Sequence, residues 1–365
     1  MIKAYSNELS DTIDKELNEI DFDKLNEVLS FNGQFIFNDI SFLSVVKKII
    51  NGDLHISYES LLSNIVTVFL NKFYQLLPAV AIISAIAILT AIIEALGAFS
   101  FSVGIKNTVC LVCYCSAITL ILGITESLIL NVEKSLKNLN NLIEIMSPVM
   151  SALLISTGAN TSASIYQPTV IFLTNTIANV YLYFIMPLIT FMVVFSVIGN
   201  FSDKIKIKKF SEFFQSMAKW VIGLFSAIFG LLMTVQGITA STIDGMSVKA
   251  LKYTVTGSVP IVGNLVGGSL DMIFAGAIII KSAVGYAGIL LTFSIVISPL
   301  FAIISMQLFL KLLSAVLESF CGKSLLGFID SLSKSLNYLT AVTISFALMI
   351  FVLLFIMVLS ANIMV

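Results

Sequence analysis

The sequence predicts an all-α, polytopic helical membrane protein with about six spans in tandem hairpin repeats. It also predicts two re-entrant or in-plane segments and a small acidic helical N-terminal domain. Of the 365 residues, 58% are hydrophobic and only 11% are charged, whereas soluble proteins carry about 25% charged residues. Several apolar runs also reach the roughly 20 residues that a helix needs to cross a bilayer.

The residue types exclude several classes of function. All 20 basic residues are lysines, which disfavours a nucleic-acid reader that would use bidentate arginine contacts to bases. The four cysteines and single histidine form no disulfide framework or zinc signature. No phosphate-binding glycine loop and no nucleophile with its base is present. We therefore predict no enzyme activity, catalytic residue, cofactor or metal, and an ATP-driven process would need a partner ATPase.

The distribution of charge divides the chain into two predicted domains. Residues 1–72 carry eleven acids and six lysines and form an acidic helical head domain, and residues 73–365 form the membrane domain. In the head, residues 7–29 have the apolar spacing of an amphipathic helix, and further helices are expected at 41–50 and 58–70. Residues 1–30 have no apolar signal-peptide core. Either the head stays in the cytoplasm, or a leader is absent from this version of the chain.

The membrane domain reads as three pairs of spans joined by short, lysine-containing connections. The pairs are 74–96 with 107–130, 169–200 with 219–242, and 282–310 with 338–360. The connection 201–218 holds the densest lysine cluster, and the positive-inside rule therefore places it in the cytoplasm. If the pairs repeat in parallel, all three connections face the cytoplasm and both termini lie outside.

An internal repeat supports the paired arrangement. A shift of 112 residues, without a gap, aligns 135–150 with 247–262 and matches Pro148 to Pro260. The same shift aligns Pro187-Leu188 with Pro299-Leu300. A fainter third copy extends the pattern toward the head. The repeat-like units are about 73–130, 131–242 and 243–360.

Two interrupted apolar segments leave the number of spans open. Segment 145–168 begins as a half-helix at Pro148 and continues with small polar residues. Its twin, 257–270, is richer in glycine, and its candidate path-lining residues are Gly257, Pro260, Gly263, Gly267 and Gly268. Twelve to fourteen residues are too few to cross, so both segments either line a central path or pack at the outer surface. In a rival topology, 142–158 is a seventh span and the N-terminus is cytoplasmic. We favour six spans.

Four charged residues lie in or near apolar segments and are functional candidates. Asp271 and Lys281 flank an apolar stretch and are ten residues apart, so they cannot face each other across one helix turn. They form an interior pair, line a wet path, or bracket an in-plane helix, and the last arrangement avoids the cost of a charge at mid-bilayer. Glu94 and Glu126 lie near span ends, where snorkelling is favoured over a proton relay. Cys110, Cys113 and Cys115 fit apolar packing.

The number and order of several motifs resemble one protein family, that of stage III sporulation protein AE of endospore-forming bacteria. The resemblance covers nearly the whole chain. The motifs that carry it are MSPVMSALLISTG (146–158), YQPTVIFLTNT (166–176), VQGITASTIDGMSVKALKY (235–253), PIVGNLVGGSLD (260–271) and IKSAVGYAGIL (280–290).

The resemblance implies a subunit of the channel, or feeding-tube, complex between mother cell and forespore, located in the mother-cell-derived outer forespore membrane. The implied partners are other stage III sporulation membrane proteins, a separate secretion-type ATPase and ring-forming intermembrane proteins, in a complex that is expected to be oligomeric. The family carries no known catalytic site that could be transferred to this chain. Its members begin with a cleavable signal sequence, which residues 1–30 do not show. A secondary transporter with its binding site at the discontinuous repeat segments is the alternative function.

Overall fold

A computed structural model describes residues 25–26, 41–53, 58–100, 103–201, 208–258, 263–318 and 323–360. Within these ranges the elements are helices, and no strand occurs among them. In chain order they are α1 (Phe42–Asn51), α2 (Tyr58–Tyr74), α3 (Leu77–Ser100), α4 (Val103–Ser156), α5 (Asn160–Val180), a π-helical turn (Tyr181–Ile185), α6 (Met186–Phe201), α7 (Lys208–Ser258), α8 (Gly263–Leu317) and α9 (Lys323–Leu359).

Six stretches of these helices are long and apolar enough to cross a membrane, which confirms the predicted number of about six. They are Leu62–Leu89, Leu111–Ser156, Asn160–Asn200, Lys209–Val235, Phe274–Leu317 and Leu325–Leu359. Helices α4, α7 and α8 contain 54, 51 and 55 residues, so each is about 75 to 83 Å long at 1.5 Å per residue. A hydrocarbon core is about 30 Å thick. These helices therefore extend well beyond it.

Glycines end two helices in the same way. Gly52 and Gly158 have φ angles of 73° and 81°, in the left-handed region that suits glycine. After α4, the Gly158 N–H donates to the carbonyl of Ile155, and the next N–H donates to Leu154, both at 2.9 Å. This Schellman arrangement satisfies the last carbonyls of the helix. The turn reverses the chain within three residues, so α4 and α5 form a hairpin.

Helix α8 occupies the centre of the bundle and packs against α1, α2, α3, α4, α7 and α9. Most of its circumference is buried, and the exposed residues Ile279, Tyr286 and Phe293, spaced by seven, mark one outward-facing stripe. Aromatic rings support its edges: Phe69 of α2 meets Phe301 with 5.9 Å between ring centroids. Helices α1 and α2, which belong to the predicted head domain, pack directly on α8.

The described helices correct several predicted boundaries. The half-helix expected to begin at Pro148 is instead the last part of α4, which runs through the proline. The Pro148 side chain lies on the exposed face of α4. The opposite face packs against neighbouring helices, which stabilises α4 across the proline. The connection predicted at 311–337 is also shorter, because α8 continues to Leu317 and α9 begins at Lys323. The amphipathic helix predicted at 7–29 lies almost wholly outside the described residues.

A π-helical turn joins α5 to α6 and lies just before Pro187. Proline has no N–H to donate within a helix. Just before it, the Met186 N–H donates to the carbonyl of Tyr181, five residues back. The wider turn gives the chain room to pass the proline without ending the helix. It also places the Tyr181 hydroxyl 3.1 Å from Ser345 Oγ on α9.

A serine on α4 compensates for the proline inside α8. In an unbroken helix the Ile295 carbonyl would accept from residue 299, but Pro299 cannot donate. The buried Ser135 hydroxyl donates to this carbonyl at 3.2 Å. Membrane helices tolerate proline where a neighbouring Ser or Thr satisfies the freed carbonyl. The contact also fixes the register of α4 against α8.

We expect Ser135→Ala to lower the free energy of unfolding by about 1 kcal/mol, the typical net value of such a hydrogen bond. The measurement is thermal unfolding of the full chain in detergent, with exposed Ser216→Ala on α7 as the control. Pro299→Ala restores the missing N–H, so Ser135→Ala should cost less in that background. Equal costs in the two backgrounds would show that the serine does not serve the proline.

Candidate functional site

The buried cation Lys281 is the centre of the candidate site. It lies within α8, and its side chain is 0% exposed. Its Nζ donates a hydrogen bond to the carbonyl of Ser360, directly after the last residue of α9. The final carbonyls of a helix have no partner within it, and they carry a partial negative charge. The ammonium therefore satisfies the end of α9 and interacts favourably with its dipole.

A tyrosine from a third helix completes the cluster. Ser360 Oγ lies 2.9 Å from the carbonyl oxygen of Ile356 and 3.4 Å from the hydroxyl of Tyr166 on α5. Tyr166 is 1% exposed. We call Tyr166, Lys281 and Ser360 the Lys281 cluster. It joins α5, α8 and α9 at the end of the bundle where α4 turns into α5.

Two glycines of α8 bring its neighbours close beside this cluster. A Cβ on Gly285 would overlap Val358 Cγ2 of α9 and lie 3.3 Å from Met150 Cε of α4. A Cβ on Gly288 would lie 2.6 Å from Met146 Cε. Small residues allow membrane helices to approach this closely. These glycines therefore allow α4 and α9 to pack closely against α8 beside the Lys281 cluster.

Further polar contacts hold the same helices in register. Asn140 of α4 donates to Asn175 of α5 at 2.7 Å. Asn200 of α6 donates to Ser331 of α9 at 3.3 Å. Hydrogen bonds between side chains of different helices are typical of membrane bundles. The first contact aligns α4 with α5, and the second aligns α6 with α9.

The structure describes the surroundings of three of the predicted site residues, Lys281, Glu126 and Pro148. Lys281 is buried in the first half of α8 and does not stand at the end of a separate short helix. Glu126 and Pro148 are both exposed on α4, Glu126 near its midpoint and Pro148 near its C-terminal end. For six further predicted residues, which lie in helices, the side-chain surroundings are not described: Gly257, Gly263, Gly267, Gly268, Asp271 and Glu94. Pro260 lies outside the described residues. Their role as path-lining residues stays a prediction.

Sequence reasoning missed the partners of Lys281. Tyr166 appeared only within a family motif, and Ser360 carried no signal, because its backbone carbonyl is what matters. The contact joins positions 79 residues apart. No local pattern reports such a pairing. Within the described residues, no group of three or more His, Cys, Asp or Glu side chains could hold a metal ion.

Comparisons with known proteins point to one family. A family model described as stage III sporulation protein AE matches residues 40–361. A curated relative, stage III sporulation protein AE of Bacillus subtilis (strain 168), is 25% identical over 229 residues. That match covers 63% of this chain and 57% of the relative, so the chain spans little more than half of the relative's length. No solved structure matches the chain.

Proposed function

Because the chain belongs to the stage III sporulation protein AE family, we propose that it is an integral membrane subunit of the channel complex between mother cell and forespore. The chain is a sporulation-related, multi-pass membrane protein. In the proposal the chain acts, without catalysis of its own, as a channel or export-gate component or as a core scaffold. Its place is the mother-cell-derived outer forespore membrane.

One observation carries the proposal: the family match extends over residues 40–361 and so includes all six candidate spans. The proposed partners are a separate secretion-type ATPase, ring-forming intermembrane proteins, other stage III sporulation membrane proteins and further copies of the chain. Long helices suit this role, since α4, α7 and α8 extend beyond the bilayer and offer surface to partners on either side.

The test is genetic and biochemical. In the organism that encodes this chain, deletion of its gene should leave engulfment complete and block late transcription in the forespore. A tagged full-length chain expressed in sporulating cells should co-purify with the secretion-type ATPase. A tagged, unrelated multi-pass membrane protein is the control. Normal spores from the deletion strain would contradict the proposal.

A secondary transporter is the second candidate. Helix α4 ends at Ser156 and α7 ends at Ser258, and each is followed within a few residues by a new helix. Transporter sites often lie at paired discontinuous helices. Asp271→Asn would then abolish activity while co-purification of the complex persists. A variant that sporulates at the wild-type frequency would favour the channel or scaffold role over the transporter.

A further inference from the structure

A polar cleft of about 500 Å³ opens between α2, α4 and α8, apart from the Lys281 cluster. Among the described residues, three helices form its wall, and none of the lining side chains is an Asp or a Glu. Its two cations come from different helices, Lys72 from α2 and Lys134 from α4. Amide side chains surround them: Asn71, Gln75, Asn131 and Asn138.

The cleft lies beside the apolar middle of its neighbours. Its α8 wall runs from Ser294 to Ala302, at the centre of the stretch 282–310, which has no charged side chain. The bond from Ser135 to the Ile295 carbonyl holds the polar part of α4 at this level. The run 145–201, which contains the end of α4 and all of α5 and α6, also has no charged residue. With 282–310 as the predicted span, the lysines of the cleft lie at membrane depth.

A lysine at membrane depth needs water or a counter-ion. Insertion into the bilayer centre costs at least about 2.5 kcal/mol for a charged side chain, and such residues face a partner or a water-filled cavity. Among the described residues, neither Lys72 nor Lys134 forms an ion pair. Lys134 is exposed, and Lys72 is half-buried. The cleft supplies the space that both ammonium groups require.

We propose that this cleft is filled with water at membrane depth and binds a phosphate-bearing anion. Lysine binds phosphate as a point charge, and the neighbouring amides donate further hydrogen bonds. The volume exceeds that of a single inorganic ion and suits a phosphorylated small molecule or the headgroup of an anionic lipid. The proposal concerns the described contacts and does not depend on the channel role.

Binding is tested with the full chain in nanodiscs of phosphatidylcholine. Inorganic phosphate, added at constant ionic strength, is titrated while the thermal unfolding midpoint is followed. In a second arm, native mass spectrometry measures retention of phosphatidylglycerol from mixed nanodiscs. Lys72→Gln and Lys134→Gln should each weaken binding about tenfold, the size expected for one charged hydrogen bond. Lys311→Gln, an exposed α8 lysine outside the cleft, should bind like the wild type.

The two arms separate the sources of the anion. A phosphate-dependent shift assigns a soluble ligand, and retention of the lipid alone assigns a headgroup. If neither probe binds the wild type, or if the cleft variants bind as well as Lys311→Gln, the anion site is refuted.

Hydration is tested by cysteine labelling in a chain whose native cysteines are replaced by alanine. Asn131→Cys in the cleft should react with a water-soluble, membrane-impermeant thiol reagent in nanodiscs. Ile344→Cys, on the exposed apolar surface of α9, should not react. Protection of Asn131→Cys to the level of Ile344→Cys would show that the cleft is dry and overturn the proposal.

Discussion

Lys281→Glu is expected to destabilise the protein by about 3 to 5 kcal/mol, the cost of leaving an uncompensated buried charge. The substitution replaces a donor to the Ser360 carbonyl by a carboxylate that repels it. It also puts a negative charge at the C-terminal end of α9, where the helix dipole is unfavourable for it. Lys281→Met removes the donor without adding charge, so we expect a smaller loss of about 1 to 3 kcal/mol.

The measurement is thermal unfolding of the purified full chain in detergent. Lys311→Glu provides a matched control, because Lys311 belongs to the same helix and is exposed; it should unfold like the wild type. A wild-type melting curve for Lys281→Glu would contradict the structural role of the cluster. If Lys281→Met is fully stable and yet fails to support sporulation, Lys281 acts in transport rather than in packing.

Gly285→Leu is expected to disrupt the contact between α8 and α9. The first atom of the new side chain already overlaps Val358, whose branched side chain has one strongly preferred rotamer in a helix. The helices must separate, which we expect to cost about 3 kcal/mol, at the upper end of overpacking effects. The altered spacing also displaces Ser360, two residues further along α9, from Lys281.

Gly230→Leu is the control, since nothing lies within 4 Å of a Cβ at that position on α7. It should leave the melting curve of the full chain unchanged or raise it slightly, because leucine favours helix more than glycine does. Val358→Ala should partly rescue Gly285→Leu by making room for the new side chain. If Val358→Ala does not rescue Gly285→Leu and Gly230→Leu is also unstable, the contact between Gly285 and Val358 is not the cause of the destabilisation.

The fold class and the number of spans follow from composition, because membrane depth leaves few alternatives to the helix. Helix ends were predicted less well. Pro148 was expected to begin a half-helix, yet α4 runs through it, since one exposed proline costs less than the packing on the other face of the helix. Likewise Lys311 and Lys334 were placed in a connection but lie within helices. A charged residue therefore does not mark the end of a helix.

The candidate site was predictable only in part. Lys281 was identified because an ionisable residue among apolar neighbours is unusual, but its position inside one long continuous helix was not predicted. Its structural environment depends on a backbone carbonyl and a tyrosine from other helices. Lys72 and Lys134, the lysines of the cleft, were not predicted to form a site, since each stands in a locally polar stretch. Only the packing of α2 and α4 on α8 brings them together.

The contact between Lys281 and Ser360 also orders events during synthesis. Lys281 enters the membrane with α8, while its acceptor is made 79 residues later. At about 5 to 20 residues per second, the ammonium waits for about 4 to 16 seconds before α9 arrives. A chain truncated before α9 keeps this charge without the Ser360 carbonyl inside the bundle.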